Sequence, residues 1–373
     1  MAEKKPRKKR AKKTEKATPR ACAFRPVPKV EMPASMNPGR ARLILRHRRA
    51  WTNGTVLRYY LFRRASSGPG RKWGGTAADH KVVRRAFKAW KEVGIGLDFR
   101  EVSDREDAEV RIGFYRGSDP DDGGNWSLVG RDVVDYEKNP DRATMNLAEN
   151  LATDYGWDTA LHEIGHTLGF PHEHQNPNAG IEWDREAVYD YFAAYPNFWS
   201  RATTDHNILN TIDPAEVKGT NWDKDSIMHY EFAAGLIRTP PFDTEGLVPA
   251  PGLSQTDKDA AKSFYPPMPG SAPARLHPFE SRKLDASFGG QVNFTIKPDV
   301  TRTYKLQTLG PADAVMTLFE HGDDHPFFIG GDDDGGEDRN AAIETRLYRG
   351  RTYVLRIRLY FVEHGHEAAV IMT

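Results

Sequence analysis

The stretch Leu161–His172, L-H-E-I-G-H-T-L-G-F-P-H, constrains this chain more than any other. His162 and His166 stand four residues apart, so on a helix both project from one face and can grip a single ion. Glu163 follows the first of them, where a carboxylate reaches a water on that ion without ligating the metal. Gly169 comes three residues after His166, and glycine suits the left-handed conformation that ends a helix. The chain then turns through Phe170 and Pro171 and brings His172 round as a third nitrogen ligand. Three imidazoles and one open position describe a catalytic zinc site, because a structural one is closed by four protein ligands. A bare H-E-x-x-H arises by chance in many helices. The extended H-E-x-x-H-x-x-G-x-x-H also expects a Met-containing turn downstream, and Ser226-Ile227-Met228-His229-Tyr230 supplies it.

With both halves present, H-E-I-G-H-T-L-G-F-P-H-E-H-Q and S-I-M-H-Y together resemble the metzincin zinc endopeptidases, and within them the astacin-like branch. Glu173, directly after the third His, and Tyr230, two residues after the Met, carry the branch. The likeness spans residues 41–266, with its sharp motifs in the centre. It implies an α+β fold: a metzincin catalytic domain with a twisted mixed sheet, the zinc helix and an α-helical lower lobe. It also implies one catalytic zinc and hydrolysis of internal peptide bonds in a protein or peptide substrate. In this reading His162, His166 and His172 hold the ion, which lowers the pKa of its water towards roughly 7. Glu163 takes the proton as hydroxide attacks the scissile carbonyl, then passes it to the leaving amine. Met228 floors the ion without ligating it. By the resemblance, Tyr230 is a removable ligand at rest and a donor to the oxyanion in the transition state; a core tyrosine is the plain alternative. His174 and His229 stand beside the motif at the wrong spacing and are left out. Glu173 reads as a structural carboxylate. In the family it pairs with the amino terminus released on activation, which here would need cleavage near Ala41 or another cation.

Two readings of other classes stand beside this one. A zinc hydrolase of a non-peptide bond shares the motif. A binding protein acting through a basic arm and a C-terminal β-domain, with an idle zinc site, is the other; the intact general base Glu163 counts against it.

At 373 residues the chain has room for two domains with separate cores and a tail. The net charge of +1 conceals an asymmetry. Residues 1–30 hold twelve Lys/Arg and two Asp/Glu, a basic arm on an acidic body. Residues 1–40 have few large apolar side chains, so a disordered arm is expected. Contact of that arm with nucleic acid or an acidic surface is the less favoured alternative, since interleaved aromatics and a folded motif are missing. No apolar run is long enough to span a membrane. The basic start leads into Thr14-Glu-Lys-Ala-Thr-Pro-Arg20 instead of an apolar core, so no signal peptide is expected. The resembled family is usually secreted, and a monomer is expected. Cys22 is the sole cysteine, so packing and metal must stabilise the fold without an intrachain disulfide. Animal astacins usually carry disulfides, and the chain is closer to the cysteine-poor microbial members. Within Pro19-Arg-Ala-Cys-Ala-Phe-Arg-Pro26, Cys22 reads as a lone thiol in a disordered tail; a thiolate filling the open zinc position and holding the enzyme latent is the alternative. On the favoured reading, Cys22→Ala leaves basal activity unchanged.

Along the body, Thr55–Phe62 reads as a strand and Thr76–Val93 as a helix, with Val82, Val83, Ala86, Phe87 and Trp90 at helical spacing. Leu97–Val102 and Val110–Tyr115 read as two further strands of an open sheet with a crossover helix. Gly117–Gly124, with three Asp, is turn chemistry, and a solvated turn is favoured over a cation site. Ala143–Ala148 is a short strand. By resemblance its residues Thr144, Met145, Asn146 and Leu147 form the edge that receives an extended peptide by β-augmentation. Asp158 or Thr159 is available to cap the zinc helix, and Asp184 and Ser254 to cap helices over 183–192 and 253–265. Residues 267–278 are a linker by composition. From 279 to 373, six short alternating runs (292–296, 303–308, 314–319, 342–347, 352–359, 368–372) indicate an all-β sandwich. Tyr304…Thr308-Leu-Gly310, Leu318-Phe319, Asp332-Asp-Asp334 and Gly350-Arg-Thr-Tyr353 resemble the pre-peptidase C-terminal type of accessory domain. Asp332, Asp333, Asp334 and Asp338 offer a calcium site, with an Asp/Gly hairpin turn as the favoured reading.

Overall fold

The computed structural model describes residues 21–25, 27, 50–51, 53–64, 66, 68–117, 119, 121–212, 221–268, 273–284, 291–321, 326–332, 335–336, 340–361 and 367–373. Residues 1–20 and 28–40 of the expected arm lie outside these. Residues 21–25 do not: they lie against the folded body.

Val56–Leu61 (β1) is aromatic and β-branched, as a half-buried strand requires, and its last three residues are buried. Ala77–Glu92 (α1) begins at a capping box. The Asp79 amide donates to Thr76 Oγ1 at 3.1 Å, and the Asp79 carboxylate receives the Thr76 amide at 2.9 Å. Its inner face buries Val83, Ala86, Phe87 and Trp90. Asp98–Glu101 (β2), Val110–Gly113 (β3), Trp126–Ser127 (β4) and Met145–Asn146 (β5) complete a sheet of order β2-β1-β3-β5-β4. The first four run parallel, with Tyr59 opposite Val110 and Ile112 opposite Met145; β4 alone runs antiparallel to its neighbour.

This order corrects the expectation for Thr144–Leu147. That segment lies inside the sheet, fully buried, and the edge on its side is Trp126–Ser127. The Asn146 side chain accounts for it. Its amide donates to the carbonyls of Tyr115 and Gly124 at 2.9 and 2.7 Å, and its Oδ1 accepts the Tyr115 amide, tying the loop before β4 over it.

Asp154–Thr167 (α2) is the metal-motif helix. It starts a turn earlier than Asp158 or Thr159 would allow, because Thr153 is extended and its hydroxyl accepts the Gly156 amide at 3.0 Å. Arg185–Ala193 (α3) is capped by Asp184, and Gln255–Phe264 (α4) by a Ser254–Asp257 capping box. One core joins β1, β3 and β5 to α1, α2 and Tyr265. A second, of Val188, Phe192, Ile208, Tyr230 and Phe232, forms the lower lobe.

The C-terminal part is a two-sheet sandwich. Ala274–Arg275 (β6), Ser281–Lys283 (β7), Gln291–Ile296 (β8), Arg302–Leu309 (β9), Asp313–His321 (β10), Pro326–Asp332 (β11), Ala342–Leu347 (β12), Tyr353–Phe361 (β13) and Ala369–Met372 (β14) form sheets β11-β10-β13-β8-β6 and β12-β9-β14-β7. Phe294, Ile296, Leu306, Leu318, Leu355 and Ile357 lie in the core between them. The six expected runs are all strands. β6 sits inside the segment read as linker, where Ala274 and Arg275 pair with Phe294 and Thr295. Strands of two or three residues carry no alternation to read, which is why β6 and β7 escaped the sequence.

Candidate active site

Every side chain of α2 from Thr159 to Thr167 is buried, so the helix runs through the molecule instead of lying on it. The His162 and His166 Nδ1 atoms each face a backbone carbonyl, that of Ile227 and that of Phe170, both at 2.7 Å. These contacts set Nδ1 as the donor and leave the lone pair on Nε2, the usual outer-shell support of a metal-bound imidazole. The helix ends in a Schellman turn. Gly169, at φ +96°, donates to the His166 carbonyl, and Phe170 donates to that of Gly165. The turn folds His172 back over the helix. The His166 Nε2 atom then lies 2.9 Å from that of His162 and 3.1 Å from that of His172.

Beneath them Met228 packs against Gly165, so closely that a Cβ there would lie 2.4 Å from its sulfur. The turn that carries it is held by Asp257 of α4, whose carboxylate accepts the Ser226 hydroxyl at 2.6 Å and the Ile227 amide at 2.8 Å. Sequence reasoning read Asp257 only as part of a helix; its place in the capping box was the one available signal. Burial holds the His162 ring down to about 4, and pushes those of His166 and His172 well below the ordinary histidine range. All three are therefore neutral and ligand-competent at neutral pH. Lone pairs converging at about 3 Å repel unless a cation lies among them, so the donor set fits a zinc ion.

A fourth donor is present. Cys22 is buried with the three histidines, and their ligand atoms all lie within 4.8 Å of one another. Its thiol also donates to Glu163 Oε2 at 3.5 Å, while Tyr230 donates its hydroxyl to the Cys22 carbonyl. The reading of Cys22 as a lone thiol in a disordered tail is thus overturned. The residues around it anchor it at every step. Asn197 Oδ1 accepts the Ala21 amide at 2.9 Å, the Asn125 carbonyl accepts that of Ala23 at 3.2 Å, and Asn207 Oδ1 accepts that of Phe24 at 2.7 Å. Asn207 sits on a π-helical turn, Asp205–Leu209, a local feature that sequence periodicity does not reveal. Phe24 stacks on His172 with ring centres 4.1 Å apart.

Glu163 is fully buried beside the histidines. Its Oε1 has no hydrogen-bond partner among the described residues, and burial raises its carboxyl to about 8. Tyr230 lies 4.5 Å, ring to ring, from His172. His174 and His229 turn away: their ring nitrogens face the Asn207 and Tyr230 carbonyls at 2.8 Å each. Glu173 accepts the Asn176 side-chain amide at 3.0 Å and the Asp223 backbone amide at 3.1 Å, and burial raises it to about 7. The loop 117–124 is more than a solvated turn, because Asp122 is buried and pairs with Arg25, Lys72 and Arg142. At the sandwich loop, Asp332 already accepts the Gly335 and Ala342 amides at 2.6 and 2.7 Å; Asp333, Asp334 and Asp338 lie outside the described residues. Beside the histidines opens a cavity of about 290 Å³ whose walls include Tyr155, Asp158, Thr159 and Val248. Neither lysine nor arginine lines it among the described residues. No described helix is long and apolar enough to cross a membrane.

Residues 50–179 match the Matrixin (Peptidase_M10) family. The chain is 33% identical to the metalloendoproteinase 4-MMP of Arabidopsis thaliana over 104 residues, which are 25% of this chain and 30% of that protein. It is 25% identical to the zinc metalloproteinase nas-26 of Caenorhabditis elegans over 201 residues, 53% of this chain and 42% of that one. The chain thus spans less than half the length of these curated relatives. The solved structure of myroilysin superposes with a TM-score of 0.50 at 29% identity, covering 59% of this chain and 96% of that one. Matched motif, converging histidines, Met turn and fold agree: the part of the chain around residues 50–179 has a metzincin-like catalytic fold.

Proposed function

We propose that this chain is a zinc-dependent endopeptidase held latent by its own N-terminal segment. One observation carries the reading: the three imidazole Nε2 atoms converge beside a buried carboxylate, and residues 21–25 lie across them with Cys22 as fourth donor. His162, His166, His172 and Cys22 would hold the zinc in this state. When bound, the ion supplies Lewis acidity, which acidifies a water and polarises a carbonyl.

The remaining work belongs to the protein. Release of residues 21–25 frees one metal position, the Glu163 carboxylate and the Tyr230 hydroxyl together, since all three are engaged by Cys22. Glu163 then has both oxygens available: it takes the proton of the attacking water and delivers it to the leaving amine. Tyr230, its hydroxyl relieved of the Cys22 carbonyl, becomes available to donate to the developing oxyanion. The substrate is an extended peptide added along the Trp126–Ser127 edge, a reading supported by the chain's own segment, whose Ala23 amide donates to the Asn125 carbonyl just before that strand. We divide the chain into an arm, a catalytic domain to about residue 266 and a sandwich accessory domain.

The test is cleavage of a diverse peptide library after brief treatment of the full chain with immobilised trypsin, which is then removed. Glu163→Gln is expected to lose roughly 10²–10⁴-fold in kcat while keeping stoichiometric zinc. Chelator-resistant cleavage, or full activity of Glu163→Gln, refutes the proposal.

A further inference from the structure

Three residues beyond Cys22, the Arg25 side chain enters a site built by the catalytic body. Its guanidinium lies over the Trp126 ring, 3.3 Å from the centroid. Nη2 donates to Asp122 Oδ1 at 3.0 Å and also to the Asp121 carbonyl. The Asp122 side chain is only 4% exposed. It is fixed in place independently of Arg25, by Lys72 on one oxygen and by Arg142 at 2.8 Å on the other. Asp119 Oδ1 holds the loop's shape by accepting the amides of Asp121 and Asp122 at 2.9 and 3.2 Å. Trp126 is buried, and its indole NH donates to the Asp122 carbonyl at 3.3 Å. Platform and acceptors are thus preformed.

The charges in this corner leave room for one more cation. Lys72, Arg142 and Arg111 act on the carboxylates of Asp122 and Glu137, the latter 3.3 Å from Arg142 Nε, and Asp119 and Asp121 of the same loop add two more carboxylates, four against three cations. Without Arg25 the corner is left with an excess negative charge. A flat aromatic face with in-plane acceptors recognises a guanidinium better than a point-like ammonium, and repels a carboxylate.

We infer that the Trp126–Asp122 site is an arginine-selective substrate subsite, occupied by Arg25 in the latent chain and by a substrate arginine after the arm leaves. The inference rests on the endopeptidase reading. It follows from position: Trp126 is part of the edge strand along which residues 21–25 lie, so a peptide replacing them brings its own side chain to the same indole. The preference falls away from the scissile bond, as Arg25 is three residues from the metal-facing Cys22.

The experiment uses the full chain activated by immobilised trypsin, counting only chelator-sensitive cleavage. Peptide sets are matched except for Arg, citrulline, Lys or Glu at each non-scissile position. At one position Arg is expected to exceed citrulline by about tenfold or more in kcat/KM, with Lys between them and Glu lowest. Asp122→Asn should reduce that Arg-to-citrulline ratio to within about threefold, chiefly through KM. Citrulline has the shape of arginine without its charge, so the wild-type comparison decides the matter even if Asp122→Asn fails to fold. Robust cleavage with Arg and citrulline equal at every position overturns the subsite and leaves the peptidase intact. Absence of cleavage in every set overturns the peptidase reading and this inference with it.

Discussion

Cys22 touches each of the groups the chemistry needs: the metal position, Glu163 and Tyr230. Replacing it with Ala should therefore raise the activity of the untreated full chain, the reverse of what a tail thiol would do. An increase of at least about tenfold is expected, since a metal–thiolate contact is worth more than the roughly 1.4 kcal/mol that tenfold represents. A fluorogenic-peptide assay with zinc content measured in parallel checks it. Asp122 carries a second prediction. Burial alone would raise its carboxyl, but Lys72, Arg25 and Arg142 hold it below the ordinary carboxylate range. A depressed folded value gives stability that is complete above the unfolded pKa of about 3.9 and is lost as pH falls through the lower folded one. In urea denaturation from pH 6 to 3, the stability advantage of wild type over Asp122→Asn should stay constant down to about pH 4 and shrink below it, because the buried histidines act on both chains alike.

The zinc helix shows how one element serves several residues. Four of its positions build the candidate site (His162, Glu163, His166 and, through contact, Gly165), and its C-terminal turn decides where His172 falls. Gly165 is glycine because Met228 occupies the space a methyl would need. Gly165→Ala should cost about 1–3 kcal/mol by overpacking and lower zinc retention, because Met228 or the helix must shift. Urea denaturation and zinc content after dialysis read the two effects; an unchanged midpoint would show that the Met turn is free to move. Helix caps at Asp184 and Ser254 were legible as local patterns, since a cap is made within three residues of itself. The edge strand was not. Two-residue strands have no period, and which of β4 and β5 lies outside depends on Asn146 bonding to Tyr115 and Gly124, far away in sequence.

At the scale of the molecule, the peptidase core and the sandwich core are separate clusters of buried side chains. They meet where Arg358 of the sandwich donates to the Phe264 carbonyl at the end of α4, at 2.9 Å. Metal removal should act on one core only. In calorimetry a chelator is expected to lower the peptidase transition, by up to roughly 4 kcal/mol where zinc had stood at a thousand times its dissociation constant, and to leave the sandwich transition in place. Restoration by added zinc completes the test; equal shifts of both transitions would mean the two cores unfold as one.

The three histidines that converge, Glu163 beside them, the Met turn and the two-part α+β and all-β plan were legible in the sequence alone. Each is written in a short window with its own period: three and four residues for a ligating helix, two for a strand, a fixed offset for a cap. What only the tertiary structure decided is long-range. Cys22 lies 141 positions from Glu163, and no local pattern distinguishes a docked thiol from one on a solvated tail. The same holds for Asn197, Asn207, Trp126 and Asp122, polar and aromatic residues whose roles arise when distant loops meet over a buried metal site. Docking of that segment depends on burial and on charges brought together by the fold, and those are properties of the folded chain.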